Sequence, residues 1–169
     1  MSVSIHDQTV ISFNHSLRAL AALLEKARAH AEANAYDVAN LLSARLYPDM
    51  FALTRQIQLA TDFAKGGAAR LAGVEPPKWP DTESTLEELQ ARMQKCIDFL
   101  AALTPAQFEG AENRPIELTT PVGKLNFTGK DFLLHWAIPN FYFHCTTAYN
   151  LLRHNGVPVG KLEFLGKRV

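Results

Sequence analysis

Apolar residues return every three or four positions along most of this chain, a spacing that suits helices with one buried face. Thr9, Phe13, Leu17, Leu20, Leu24 and Ala27 trace one stripe. They predict a first helix from about Ser4 to about Asn34. His15, Arg18, Glu25 and Lys26 fall opposite, so His15 is expected in solvent, while His6 lies near the stripe at the frayed start.

The breaks between stripes set the element order. Asp37 can cap a short helical stretch ending near Tyr47. Pro48 then suits the first turn of a second long helix, from about Pro48 to Leu71, with Gly73 just past its end. On it, Leu53, Ile57, Ala60, Ala64 and Leu71 form one face, and Phe51, Arg55, Gln58, Asp62, Gly66 and Ala69 another. Gly66-Gly67 inside this pattern points to close helix packing. Pro76, Pro77 and Pro80 around Trp79 make a stiff loop. Ser84 or Thr85 with Glu87 and Glu88 gives a capping box for a third helix that runs to about Leu103 and stops at Thr104-Pro105.

Period two appears in one place. Ile116 and Leu118, then Leu125 and Phe127, alternate with polar neighbours around a turn at Thr120-Pro121-Val122-Gly123, which predicts a short β-hairpin. Thr128 and Asp131 start a fourth helix that runs to about His154, with Asn155-Gly156 as its C-cap. The tail from Val157 to Val169 reads as irregular, tied down by Leu162, Phe164 and Leu165. The expected fold is therefore an all-α antiparallel four-helix bundle, one domain over residues 1–169, with a hairpin between helices 3 and 4.

The composition removes several functions. Seventeen basic and seventeen acidic residues cancel, so no field of one sign gathers nucleic acid or an anionic membrane. No apolar run nears the roughly 18 residues of a membrane span. Met1 to Asp7 lacks the basic-then-apolar pattern of a signal peptide, and a cytoplasmic protein is expected. Cys96 and Cys145 form no CxxC motif and read as buried thiols. The phosphate-cradling glycine loop, HExxH and GxSxG patterns are all missing from the sequence.

The polar residues inside the apolar pattern remain. On a wheel of about 100° per residue, His135 shares a side with Tyr142, Thr146, Tyr149 and Arg153. His144 falls opposite, with Leu133, Ala137, Asn140, Ala148 and Leu151. Pro139 lies between the two histidines and can kink or rephase the helix. Asn140 and His144 are four apart, a spacing that suits two ligands or two hydrogen-bonding groups. Asp62, with Gln58 and Arg55 at successive turns before it, is the natural carboxylate partner for His144, through a metal or a direct hydrogen bond. Tyr142 and Arg55 can line a cleft beside them. His30 and His154 answer helix C-termini.

The run from His135 through Pro139-Asn140 and His144 to Arg153-His154-Asn155-Gly156 resembles the closing helix of the DinB/YfiT-like superfamily. The segments Arg55-Gln56-Ile57-Gln58, Asp62, Ala64-Lys65 and Arg70-Leu71-Ala72-Gly73 resemble its second helix, more narrowly that of an uncharacterised bacterial branch. The resemblance implies a bundle, often dimeric, with a divalent-metal site of three histidines, one from the second helix and two spaced HxxxH from the fourth. In some relatives that site serves thiol S-transfer. Nine residues before Arg153 stands His144, which matches the second histidine of the pair. Four residues earlier stands Asn140, and the second helix has Gln58 and Asp62 but no histidine.

Three expectations follow. The first is a polar cleft between the second and fourth helices that takes a small molecule, with a zinc or nickel ion at Asp62 and His144, with or without His135, or with no metal. The second is a non-catalytic homodimer of a stress-response or binding type. The third is metal-assisted thiol transfer.

Overall fold

In the computed structural model, which describes residues 3–120 and 123–167, the chain is mostly helical with one two-stranded antiparallel hairpin. A π turn, Asp7–Ile11, leads into α1, Ser12–Ala33. Ser4 and Asp7 exchange hydrogen bonds before it, the Asp7 amide to Ser4 Oγ and the Ser4 amide to Asp7 Oδ2. That sets the start where the sequence places it.

The short α2, Ala39–Ser43, follows Asp37, whose Oδ1 accepts from the Ala39 amide. It ends before Tyr47, because Ala44 is extended. The next long helix, α3, is Leu53–Ala72 and starts five residues later than Pro48. Tyr47-Pro48-Asp49-Met50 instead forms a turn, closed by the Met50 amide on Tyr47 O at 3.0 Å. Proline fits the second position of a turn as well as the start of a helix, and the extended Ala52 decides for the turn.

At its other end α3 stops at Gly73 in the left-handed region, φ 72°. Val74 N bonds Ala69 O and Gly73 N bonds Arg70 O, the paired closure that favours glycine there. α4, Leu86–Ala101, carries the expected capping box from Thr85 and Glu88. Two short 3-10 turns lead to β1, Pro115–Thr120, and β2, Gly123–Thr128. Ile116 pairs with Phe127 and Leu118 with Leu125. Pro121 and Val122 of the expected turn lie outside the described residues.

The last long helix is continuous but not uniform. Thr128 caps α5, Gly129–Phe132; a π turn covers Leu133–Ala137; α6 is Ile138–His154. The rephasing expected at Pro139 takes this form: the Ile138 amide reaches back five residues, to Leu133 O. The tail is not wholly irregular, since Lys161–Phe164 forms a helical turn, α7. Its anchors also differ from expectation. Val157 and Val159 are buried, Phe164 packs on Tyr149 at 5.5 Å, and Leu162 and Leu165 are exposed. His15 sits in solvent yet bonds Leu165 O at 2.9 Å.

The long helices close on a shared core. α1 touches α4 and α6, and α3 touches the same two. Phe13, Leu17, Ile57, Leu89 and Phe141 are fully buried between them. The Phe13 and Phe141 rings pack with their centres 4.3 Å apart, tilted by 36°. Both cysteines are buried, and burial pushes the Cys96 thiol up to about 12 and Cys145 also upward. Among the described residues no helix is long and apolar enough to cross a membrane.

Gly129 ties the hairpin to the bundle. A Cβ there would lie 1.8 Å from the carbonyl oxygen of Ala111, a backbone atom that cannot rotate away. Gly129→Ala is expected to lose about 3 kcal/mol in urea unfolding, at the upper end of overpacking costs. A loss under about 1 kcal/mol would mean that the segment around Ala111 yields.

Candidate functional site

α3 carries or touches the two polar networks that hold Asp62 and His144. Asp62, one face of it, does not meet His144. Its Oδ1 accepts from Arg92 Nη2 at 2.7 Å and from Lys65 Nζ at 2.6 Å. Arg92, on α4, is 2% exposed and fully engaged. Its Nε donates to Thr61 Oγ1, its Nη1 to Pro80 O and Glu83 Oε1, and its Nη2 also to Asp81 Oδ1 at 2.9 Å. Gln58, buried, donates to Glu83, and Arg55, half-exposed, donates to Asp81 and to Gln58 Oε1. Burial would raise the Glu83 carboxyl, but hydrogen bonds from Arg92 and Gln58 hold it below the usual carboxylate range. The whole cluster therefore clamps the proline loop onto α3 and α4, over the Trp79 ring.

His144 belongs to a second, separate network. Its partner is Gln56, two residues before Gln58 and six before Asp62 on α3. Gln56 Nε2 donates to Phe51 O, so its Oε1 faces the imidazole and accepts from His144 Nδ1 at 2.8 Å. That chain of bonds assigns the proton to Nδ1 and leaves Nε2 as an acceptor. The ring stacks on Phe63 at 5.4 Å and is 7% exposed. Burial, and then the Arg55 cation, lower its pKa to about 4, so it is neutral at pH 7.

The other sequence candidates lie apart. Asn140 turns its amide back to Trp136 O at 2.8 Å, a local helix bond rather than a ligand position. His135 is exposed on the π turn. Tyr142 packs its ring against Phe13 and Phe141 and takes a long bond from Ser16 Oγ at 3.5 Å.

The residues do not fit the three-histidine centre that the resemblance implies. Only one imidazole, His144, stands between α3 and α6, Asn140 faces backbone, and Asp62 serves two cations. Zinc and nickel favour imidazole, thiolate or free carboxylate over amide oxygen. Among the described residues no three His, Cys, Asp or Glu side chains come together as a metal would need.

What the fold does build between α3 and the last helix is a groove of about 200 Å³, roofed by β1. Phe63, Trp136 and Phe132 supply apolar wall, Asp62 and Arg70 stand on the α3 side, and Thr119 is at the rim. Gly66 and Gly67 form part of its floor. A larger groove of about 520 Å³ runs between α1 and α7. It contains none of the candidate residues, and two of its polar groups already meet the tail: Lys26 pairs with Glu163 at 2.7 Å and His15 with Leu165 O. It is the seam where the tail docks, and the smaller groove is the better candidate site.

Sequence reasoning missed Gln56 and Arg70 as site residues. Gln56 had a signal, as a polar side chain three residues after Leu53 and four before Ala60 on the buried stripe. Arg70 had none beyond its place in the second helix.

The family model described as "Domain of unknown function (DUF1993)" matches residues 5–165. The chain is similar over 97% of its length to a DinB family member protein from Shewanella denitrificans whose crystal structure is known. That match covers 93% of the other chain at 43% sequence identity, with a TM-score of 0.90. No curated protein matches the chain.

Two measurements test the networks. The unfolded chain binds a proton at His144 near its ordinary 6.5, the folded chain only near 4. The contribution of His144 to stability is thus full above pH 6.5 and falls as the pH drops towards 4, by about 3 kcal/mol in all. In His144→Gln most of that slope should be lost, leaving the fall near pH 4 from lowered carboxyls such as Glu83, and an unchanged slope between pH 6.5 and 4 would refute the assignment. Arg92→Leu removes the cation that three carboxylates share, leaving Glu83 with none, and should cost about 3 kcal/mol in urea unfolding. It should also increase proteolysis in the 74–83 loop.

Proposed function

We propose that this chain, which belongs to the DUF1993 family and is a DinB-like domain, binds a small molecule in the groove between α3, β1 and the last helix. In this reading the four long helices act as an antiparallel four-helix bundle, a fold that builds sites from side chains on facing helices. The observation that carries it is the groove itself. There α3 and the last helix, which share the Gln56–His144 contact further along, part enough to leave a lined space near charged groups.

At about 200 Å³ the groove suits a ligand smaller than a typical drug. Apolar area on Phe63, Phe132 and Trp136 supplies affinity, and the polar groups at its edges supply orientation. The buried Gln56–His144 pair lies behind Phe63, stacked on that ring. Its role is to hold the wall in place: a neutral imidazole bonded to a carboxamide keeps Phe63 and α6 in one arrangement without burying a charge.

The test is nuclear magnetic resonance of labelled protein titrated with small aromatic acids, amides and alcohols. At least one class should shift the Trp136 indole and Gly67 amide signals at millimolar or tighter affinity. Thr119 is exposed on the rim, so Thr119→Trp should keep the fold while abolishing the shifts. Shifts confined to residues between α1 and α7, or surviving unchanged in Thr119→Trp, would overturn the reading.

A further inference from the structure

Arg70 differs from Arg55 and Lys65 on its own helix and from Arg92 on α4. Arg92, Lys65 and Arg55 each meet a carboxylate. Arg70 meets none within 4 Å among the described residues, although it is only partly exposed on the groove wall. Its recorded hydrogen bond is from Nη1 to Gly66 O at 2.9 Å. An arginine presents five N–H donors, so most of this fork is left for another partner.

The conformation is made possible by the glycine one turn earlier. A Cβ on Gly66 would lie 2.8 Å from Arg70 Nη1. The guanidinium therefore lies across residue 66, in the groove, only because that residue has no side chain. Long basic side chains otherwise extend their heads into water. Here burial lowers the arginine's pKa, with only the exposed Glu75 opposing it through space. Asp62, the acid at the other end of the groove, is already matched by Arg92 and Lys65. The groove is thus left with one positive charge unmatched and an aromatic wall beside it.

We infer that the ligand of this groove is a small carboxylate with an apolar body, its carboxylate seated on Arg70 and its body against Phe63, Phe132 and Trp136. This rests on the small-molecule reading and adds its charge and chemical class. The planar guanidinium matches a carboxylate in a forked pair of hydrogen bonds. The groove's volume limits the body to about the size of one ring.

The experiment compares phenylacetate, phenylacetamide and phenyl phosphate, which share a ring and differ in the head group, by the Trp136 indole shift. Phenylacetate should bind at least about tenfold more tightly than the amide, the usual worth of a charge-assisted hydrogen bond. Arg70→Met should bring phenylacetate down to the affinity of the amide and leave the amide unchanged. Gly66→Ala should weaken phenylacetate several-fold while its melting temperature stays at or above that of the parent, since alanine favours helix. Equal binding of acid and amide to the parent protein would overturn the inference and spare the groove reading. Binding of neither would overturn both. Phenyl phosphate binding more tightly than phenylacetate would replace carboxylate by phosphate as the head group.

Discussion

How near α3 can come to the last helix governs the rest of this structure. At their contact a Cβ on Gly67 would stand 3.1 Å from the Cβ of Ala137, inside ordinary packing distance. Ala60, Ala64 and Ala68 on the same helix are fully buried. Small residues let two helix backbones approach where larger ones would hold them apart. The π turn at Leu133–Ala137 falls at this contact. From it follow the reach of Gln56 to His144 on one side and the shallow groove by Gly66 and Gly67 on the other.

Charge is arranged around that contact in two unequal ways. The Arg92 cluster is closed: every nitrogen of the guanidinium has an acceptor, and three carboxylates share it. Such a cluster gives little net stability over a well-packed apolar alternative, because desolvation offsets attraction. Its effect is positional, since it fixes the proline loop and removes Asp62 from any other role. Arg70 is the open counterpart, a cation held in the groove by a glycine and left without a carboxylate at contact distance. The histidine contributes no charge at neutral pH; it joins α3 to α6 through an uncharged hydrogen bond.

Much of the architecture was legible in the residues. Capping at Thr85, Gly73 and Asn155-Gly156 follows from local chemistry and stands as expected. So do the hairpin pairs Ile116–Phe127 and Leu118–Leu125. Pro48 was legible only as a breaker, because a turn and a helix start accept proline equally. The placement of His144 on the buried side of its helix was readable from the wheel. Its partner was not. Gln56, Gln58 and Asp62 lie on one helix within two turns, and which of them faces α6 depends on a rotation of about 100° per residue that the pattern alone does not pin down. Arg70 was invisible for another reason, since a lone arginine in sequence carries no sign of whether a carboxylate waits nearby.

The sequence by itself determined the helices, their caps, the hairpin and the kinds of residue available for chemistry, because periodicity and capping act between neighbours along the chain. Only the tertiary structure decided which polar groups meet. Asp62 went to Arg92 across a gap of thirty residues, His144 went to Gln56 across eighty-eight, and Arg70 was left open beside a groove. Those outcomes depend on helix rotation and on how closely small residues allow α3 and the last helix to approach, and both are set by packing across the core.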